Sequence, residues 1–248
     1  MDTVIEFKHV KKDYGNKTII NDFNLEITSG EFLTVVGSSG SGKTTILKMI
    51  NGLIIPDQGQ VLVHGHSTQE VDLIGLRREI GYAIQGSVLF PHMTVAQNIA
   101  YVPNLLNKGD KKRTHNAVSK WMNIVGLDDE LSQRYPNELS GGQQQRVGIA
   151  RALAASPDIL LMDEPFGAVD EITRASLQDE ILRIHRQEKI TVIFVTHDIN
   201  EALKLGSLIM VMDQGKIVQL GSPKEILEQP KTPFVAKLIE RASYNQTV

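Results

Sequence analysis

The chain carries the octapeptide Gly37-Ser38-Ser39-Gly40-Ser41-Gly42-Lys43-Thr44. The residues before it, Phe32–Val36, form a short apolar run that predicts a buried strand, and residues 44–50 place apolar side chains at helical spacing. A Gly/Ser-rich surface turn is the alternative interpretation, but these flanks favour a loop that joins a strand to a helix.

The octapeptide fits the P-loop pattern G-x-x-x-x-G-K-[ST]. In such a loop the glycines let backbone N–H groups close around phosphates, Lys43 reaches the β- and γ-phosphates, and the Thr44 hydroxyl can bind Mg²⁺. The phosphates then lie at a helix N-terminus, where the helix dipole favours anions. We therefore predict a site for ATP and Mg²⁺.

Length and composition limit the classes of protein. A chain of 248 residues can bury the core of one large domain, with or without a subdomain. It contains no Cys, which excludes disulfides, thiolate metal sites and thiol catalysis and is typical of a reducing compartment.

Charge and hydropathy point to a soluble protein without a nucleic acid partner. The first residues are charged where a signal peptide would be apolar, and no apolar run approaches the length of a membrane span. The net charge of −3 gives no footprint for nucleic acid. The basic cluster of Lys108 and Lys111–Arg113 is expected to be a solvated loop.

Apolar patterning predicts two kinds of sheet. Residues 3–28 alternate apolar and polar side chains around the turn Asp13–Asn16, which predicts a hairpin that Val61–Val63 can join. Compact apolar runs separated by helical segments predict a parallel sheet buried on both faces. These runs are Ile80–Ile84, Ile159–Met162, Thr191–Val195 and Leu208–Met212.

The remaining segments are predicted to be mostly helical. Between about residues 92 and 138 helical spacing predominates, which predicts an inserted helical subdomain. Asp213–Gly215 is a hairpin turn signal, and Ser222-Pro223 is typical of the start of a helix. We expect one domain over residues 1–248, with a helical tail over about 222–248.

Adjacent carboxylates follow one of the apolar runs, at Asp163 and Glu164. In an open parallel sheet the carboxyl ends of the strands form the ligand edge. Like charges side by side are costly unless a cation is present, and Mg²⁺–ATP supplies one. Asp163 is thus predicted to bind the metal and Glu164 to activate the attacking water, the alternative being an acidic turn.

A second strand end carries His197. This side chain could bind the γ-phosphate or the attacking water, while Asp198 and Asn200 could shape the turn into the next helix. His64 and His66 lie two residues apart on a predicted strand, and without a completing ligand they are interpreted as surface histidines.

The order of the motifs resembles the nucleotide-binding subunit of ATP-binding cassette transporters over essentially the whole chain. These motifs are Tyr14, residues 37–44, Gln85, the signature Leu139-Ser140-Gly141-Gly142-Gln143, Asp163-Glu164, Gly167-Ala168-Val169-Asp170 and His197. The resemblance implies an α/β fold: a P-loop NTPase with a RecA-like parallel-sheet core, an antiparallel β subdomain and an inserted helical subdomain.

The resemblance also implies roles for single residues. Tyr14 would stack on adenine, Gln85 would meet Mg²⁺ and couple to a transmembrane partner, and Asp170 would belong to the loop between protomers. Glu164, His197, Lys43 and Gln85 would form the catalytic set, with Thr44, Gln85 and Asp163 at the metal. The nucleotide would contact Tyr14, Gly37, Ser38, Ser39, Gly40, Ser41, Gly42, Lys43, Thr44, Thr45, Ser140, Gly141, Gly142 and Gln143.

Resemblance places the signature residues Ser140, Gly141 and Gly142 against ATP held by another protomer. A hydroxyl and glycine amides before a helix that begins near Gln143 form a plausible second anion site. Two chains would then enclose two ATP molecules head to tail, as a homodimer formed on ATP binding.

A narrower resemblance points to importers of quaternary amines such as glycine betaine, choline and carnitine. It is carried by Arg77–Gln85, Leu89–Ile99 and Val102–Leu106. Two positions depart from the pattern of this branch. Val169 lies before Asp170 where leucine is more usual, and Gly86-Ser87 lie where some relatives have bulkier polar residues. Many members of this branch carry C-terminal regulatory CBS modules, and we expect none in a chain that ends at Val248.

We therefore predict a peripheral ATPase on the cytoplasmic face of the membrane, working with permease subunits and, indirectly, a substrate-binding protein. An importer ATPase for another small solute, such as an amino acid or polyamine, is the first alternative. A second alternative is a non-transport cassette ATPase, but such proteins usually carry two cassettes or a long coiled coil, and this sequence has neither. A binding module that does not hydrolyse ATP is disfavoured by Glu164 and His197.

Overall fold

The structure is a computed structural model that describes residues 2–84, 86, 89–167 and 169–244. It divides into two compact units, a first unit of Met1–Leu73 with Thr191–Val248 and a second unit of Ile74–Ile190. In chain order the elements are β1 (Thr3–Tyr14), β2 (Lys17–Thr28), β3 (Phe32–Gly37), α1 (Lys43–Ile50), β4 (Gln58–Val63), β5 (His66–Ser67), α2 (Leu73–Glu79), β6 (Ile80–Ala83), α3 (Val95–Leu106), α4 (Lys111–Ile124), two 3₁₀ turns (Asp129–Gln133 and Pro136–Glu138), α5 (Gly141–Leu153), β7 (Ile159–Asp163), α6 (Glu171–Glu188), β8 (Thr191–Val195), α7 (Ile199–Leu205), β9 (Leu208–Asp213), β10 (Lys216–Gly221), α8 (Pro223–Glu228) and α9 (Pro233–Tyr244).

The first unit contains the predicted antiparallel sheet, in the order β2-β1-β4-β5. β1 pairs with β2 around the expected turn and with β4 on its other edge, so the hairpin and the addition of Val61–Val63 are confirmed. His64 lies in the β4–β5 turn with φ of 51° instead of on a strand, because a tight turn needs residues in the left-handed region. The predicted strand position of His64 was therefore wrong, and both His64 and His66 are exposed.

The first unit also holds the parallel strands that position the P-loop. β3 lies between β8 and β9 and pairs with both in parallel, while β10 returns antiparallel to β9. Phe32–Val36 is buried throughout, as is β8. The predicted strands and the turn Asp213–Gly215 are confirmed.

Apolar side chains of α7, α8 and α9 cover one region of this core. Ile199, Ile226 and Val235 pack with Val36 and Val211 of the strands. Ser222 caps α8 through a hydrogen bond from the Glu225 N–H, and Pro223 takes the first helical position. The predicted start of this helix is confirmed.

The second unit pairs β6 with β7 in parallel, as the sequence predicted. Residues 92–138, all of which the structure describes, contain α3, α4 and the two 3₁₀ turns and no strand. The solvated loop predicted for Lys111–Arg113 is wrong: these residues are exposed but form the first turn of α4, because Asp110 caps that helix through the Arg113 N–H. α5 begins at Gly141, two residues before the position expected.

Across the described ranges, none of the helices combines the length and the apolar character needed to cross a membrane.

Candidate functional site

The P-loop ends in an open helix N-terminus in the first unit. Gly42, the N-cap of α1, has φ of 100° and no side chain to accept a hydrogen bond from the first-turn amides. The first N–H groups of a helix point out of its N-terminus, and together with the helix dipole they favour an anion there.

Lys43 folds back over the same loop. Its Nζ donates to the carbonyl oxygens of Gly37 and Ser38 at 2.9 and 2.8 Å, and the residue is 8% exposed. The ammonium group is therefore held above the loop by neutral acceptors, where phosphate oxygens can replace or join those carbonyls as charge-assisted partners.

Two contacts fix the shape of the loop. Ser38 Oγ donates to Asp213 Oδ1 at 2.6 Å, and the Gly215 N–H donates to the Ser41 carbonyl at 3.2 Å. Both partners belong to the segment Asp213–Gly215 that joins β9 to β10. The sequence identifies this segment as a hairpin turn but does not connect it to the P-loop. The pairing of Gly37 with Met212 in β9 could have suggested this link only once the strand order was known.

The loop fits a polyphosphate. Ser41 Oγ is buried and finds no hydrogen-bond partner among the described residues. A Cβ built on Gly40 would meet nothing within 4 Å, so the backbone is open on that side. A buried hydroxyl without a partner costs free energy, and a phosphate oxygen would satisfy it.

His197 is exposed at the carboxyl end of β8. Its neighbours hold it in place, because Thr196 Oγ1 donates to Glu201 Oε2 at 2.6 Å and accepts from the Asp198 N–H at 3.0 Å. Asp198 in turn caps α7 through the Asn200 N–H, as the sequence suggested. The buried Thr196–Glu201 pair escaped sequence reasoning because neither residue belongs to a motif.

Tyr14 ends β1 and is 47% exposed. The Nζ of Lys12 lies 5.7 Å from its ring centroid, and Lys12 is itself bound to Asp57 Oδ1 at 2.9 Å. The ring therefore presents a surface on which a flat base can stack.

The carboxylates are in the second unit, at the end of β7. Asp163 is the last residue of that strand and is 2% exposed, and Glu164 follows it with φ of 46°. The left-handed backbone at Glu164 turns the chain sharply out of the strand, which is unusual for a residue with a Cβ. Both residues interact with their surroundings, so neither is isolated.

The signature forms the start of α5. Ser140 Oγ accepts from the Gln143 N–H at 3.2 Å, and Gln143 Oε1 accepts from the Ser140 N–H at 2.9 Å, a capping box. Gln144 Nε2 donates to the Pro136 carbonyl at 3.0 Å, which ties the helix to the preceding turn. Gly141 is exposed, and the hydroxyl proton of Ser140 can still be donated.

Asp170 caps α6 by accepting from the Thr173 N–H at 3.0 Å. This backbone hydrogen bond is the main cause that lowers the pKa of the Asp170 carboxyl, followed by the Thr173 side chain. Gln85 and Ala168 lie outside the described residues. Within the described part of the chain, no three His, Asp or Glu side chains gather into a metal site.

The P-loop joins a buried parallel strand to a helix without a side-chain cap, and an Asp-Glu pair lies at the end of another buried strand. These two features define a P-loop ATPase. The family model described as ABC transporter matches residues 20–167. The chain therefore belongs to the ABC transporter family and is an ATP-binding, ATP-hydrolysing cassette of it.

Similar proteins agree with this assignment. The chain is 49% identical over 239 residues to the glycine betaine uptake system ATP-binding protein YehX of Escherichia coli. The match covers 96% of this chain and 77% of that protein. It is also 48% identical over 237 residues to the glycine betaine/carnitine/choline transport ATP-binding protein OpuCA of Bacillus subtilis. That match covers 95% of this chain but only 62% of the relative's length.

A solved structure shares the fold. It is the dimeric post-hydrolysis state of an ATP-binding cassette bound to ADP and Pi, with 32% identity and a TM-score of 0.83, covering 88% of this chain and 98% of the other. The RecA-like α/β fold expected from the motifs is thus confirmed.

Proposed function

We propose that this chain hydrolyses ATP to drive an importer of quaternary-amine osmoprotectants such as glycine betaine, choline or carnitine. The observation that carries the ATPase part is the open N-terminus of α1 beneath Lys43. The substrate class is supported by relatives near 48% identity whose names give these solutes.

Each motif residue has a proposed role toward ATP. Lys43 and the amides after Gly42 hold the phosphates, and Tyr14 stacks on adenine. Thr44 and Asp163 offer hard oxygen ligands of the kind that Mg²⁺ prefers, with Gln85 as a third. The metal, when bound, neutralises phosphate charge.

The chemical step would use Glu164 and His197. Glu164 takes a proton from the attacking water, and His197 donates a hydrogen bond toward the γ-phosphate. Its exposed position at a strand end, braced by Thr196 and Asp198, suits a group that must meet a ligand.

The active site would be completed by a second copy of the chain. Gly141 is exposed at the start of α5 and Ser140 retains a hydroxyl donor, so both can meet a phosphate held elsewhere. Asp170 would lie in the loop between the protomers. Dimeric cassettes of the same fold support this arrangement.

The remaining partners follow from the transport role. Permease subunits would bind the cassette at the cytoplasmic face of the membrane and carry the solute, and a substrate-binding protein would deliver it. We propose residues 1–248 as one nucleotide-binding domain, with a helical subdomain near 92–138 and a helical tail near 222–248, of which residues 245–248 lie outside the described part of the chain.

The test is uptake in proteoliposomes made with the permease that co-purifies with the tagged chain. We expect ATP-dependent uptake of labelled glycine betaine, choline or carnitine, and none with Lys43→Ala. ATP-dependent uptake of an amino acid or polyamine with none of the quaternary amines would reject the proposed solute class.

A further inference from the structure

A tyrosine beside the proposed metal ligand has no place in the mechanism above. Tyr82 lies in β6, where it pairs with Leu161 of the parallel strand β7. Side chains of paired residues lie on the same face of a sheet, and residues two apart on one strand share that face. Tyr82 and Asp163 therefore lie on the same face, as diagonal neighbours within reach of an aromatic side chain.

The hydroxyl of Tyr82 is buried without an acceptor. Its Oη finds no hydrogen-bond partner among the described residues, although the tyrosine as a whole is only partly buried. Burial, followed by the charge of the Asp163 carboxylate, raises the pKa of Tyr82 to about 12. The phenol is therefore a buried donor that lies within the electrostatic reach of Asp163.

Packing on the other face of β6 fixes the strand that carries Tyr82. A Cβ built on the neighbouring Gly81 would lie 2.4 Å from the Ala152 carbonyl oxygen and 2.9 Å from Pro157 Cγ. The missing side chain lets β6 approach the end of α5 closely, and this contact fixes the strand. The backbone that carries Tyr82 is therefore fixed, while its hydroxyl makes no hydrogen bond among the described residues.

A buried donor without an acceptor is unfavourable unless a ligand supplies the acceptor. Mg²⁺ usually keeps several of its waters when a protein binds it, and groups that bind those waters or the ligating carboxylate orient them. We propose that Tyr82 is a positioning residue: its hydroxyl donates a hydrogen bond to a water of the hydrated Mg²⁺ that Asp163 binds. This inference rests on the proposed function.

The test compares Tyr82→Phe, which removes only the hydroxyl, with the control Tyr101→Phe, which removes the hydroxyl of an exposed tyrosine in α3. Mn²⁺ titrations followed by electron paramagnetic resonance, with a non-hydrolysable ATP analogue bound, report the metal site directly. We expect Tyr82→Phe to weaken Mn²⁺ binding about tenfold. The affinity for the analogue without metal should not change, and Tyr101→Phe should match the wild type.

Thermal unfolding without nucleotide provides the second measurement. Because the hydroxyl has no acceptor there, Tyr82→Phe should leave Tm unchanged or raise it. A lower Tm together with unchanged Mn²⁺ affinity would show a purely structural tyrosine and overturn the proposal. Should Tyr82→Phe fail to fold, Tyr82→Met takes its place under the same criteria.

Failure of this inference can be told apart from failure of the proposed function. If the wild-type chain itself binds no Mn²⁺–nucleotide, the ATPase proposal fails. If the wild type binds it and Tyr82→Phe binds it equally well, only the role of Tyr82 is rejected.

Discussion

Ser38 of the P-loop donates a hydrogen bond of 2.6 Å to Asp213 at the end of β9. The loop that would hold the phosphates is thus fixed by a strand that lies 175 residues later in the sequence. A hydroxyl–carboxylate bond is stronger than one between neutral groups. The backbone amides of the loop are therefore held in place before any ligand binds.

Removing this bond should weaken both the fold and the site. We expect Ser38→Ala to lower the free energy of unfolding by about 1–2 kcal/mol, since the Asp213 carboxylate loses a partner. Urea unfolding measures the change, and ATP titration should show weaker binding. Thr18→Ala, which removes an exposed 2.6 Å bond to Asp13, is the control. Equal, small losses in the two variants would contradict a special role for Ser38.

The glycines of the loop should differ sharply in their tolerance of a methyl group. A Cβ on Gly37 would lie 2.0 Å from the Met212 carbonyl oxygen, part of a paired strand that cannot move aside. We expect Gly37→Ala to lower the free energy of unfolding by about 3 kcal/mol. Gly40 has open space but φ of 75°, so Gly40→Ala should cost about 1 kcal/mol of backbone strain.

Thermal or urea unfolding of the two variants tests this difference. If Gly40→Ala lowered the free energy of unfolding more than Gly37→Ala, the close packing of β3 against β9 would not be what prevents a side chain in the loop.

Asp57 should make the first unit sensitive to acid. The Asp13 N–H at 2.6 Å and the Lys12 ammonium at 2.9 Å hold the pKa of the Asp57 carboxyl below its usual value of 3.8. The folded chain thus binds this proton more weakly than the unfolded chain. Its stabilisation is present above about pH 4 and is lost as the pH falls through the lowered pKa.

We therefore expect Asp57→Asn to unfold at lower urea concentration than the wild type at pH 7. The gap between the two should narrow as the pH falls below about 4. Glu70→Gln, at another exposed carboxylate, is the control. A gap that stays constant with pH would contradict an ionic contribution from Asp57.

Gly141 tests whether a site is shared between chains. Gly141→Asp places a carboxylate at the first turn of α5, which the helix dipole favours, so the variant should fold. Repulsion from the partner's γ-phosphate should abolish hydrolysis but leave ATP binding to the P-loop intact. Equal loss of binding and hydrolysis in the folded variant would favour a site within one chain.

Mixing two inactive variants sharpens this test. A dimer of Gly141→Asp with Lys43→Ala contains one site in which both the P-loop and the signature are wild type. We expect the mixture to regain part of the hydrolysis that each variant lacks alone. A mixture as inactive as its components would argue against shared sites.

The sequence predicted local features more completely than tertiary ones. Strand β3, the turn at Asp213–Gly215 and the cap at Ser222 follow from apolar runs and turn residues, and the structure confirms each. The loop predicted at Lys111–Arg113 is a helical turn because Asp110 caps it, and the charge pattern alone does not reveal that cap. Contacts such as Ser38–Asp213 and Thr196–Glu201 join residues that no periodicity links, so only the folded chain reveals them.

The sequence predicts the parts of the candidate site that belong to motifs. It does not predict the features that depend on how the strands pack. The P-loop and the Asp163-Glu164 pair were evident from residue types alone. The left-handed turn at Glu164 and the unsatisfied hydroxyl of Tyr82 depend on strand register, which the sequence did not specify. The roles of all these site residues, those of Gln85 and Tyr14 included, remain predictions.

The central claim is that Glu164 activates water in a site that two chains close around ATP. Glu164→Gln removes the base but keeps the shape of the side chain, so hydrolysis should fall about 10²–10⁴-fold while ATP still binds. Glu130→Gln, at an exposed carboxylate of a 3₁₀ turn, should hydrolyse ATP normally.

The most direct measurement is the mass of Glu164→Gln by light scattering, with and without ATP and Mg²⁺. We expect the mass to double when ATP and Mg²⁺ are present and to return to that of one chain when they are removed. A variant that binds ATP but remains a single chain at high protein concentration, or that hydrolyses ATP at the wild-type rate, would contradict the account.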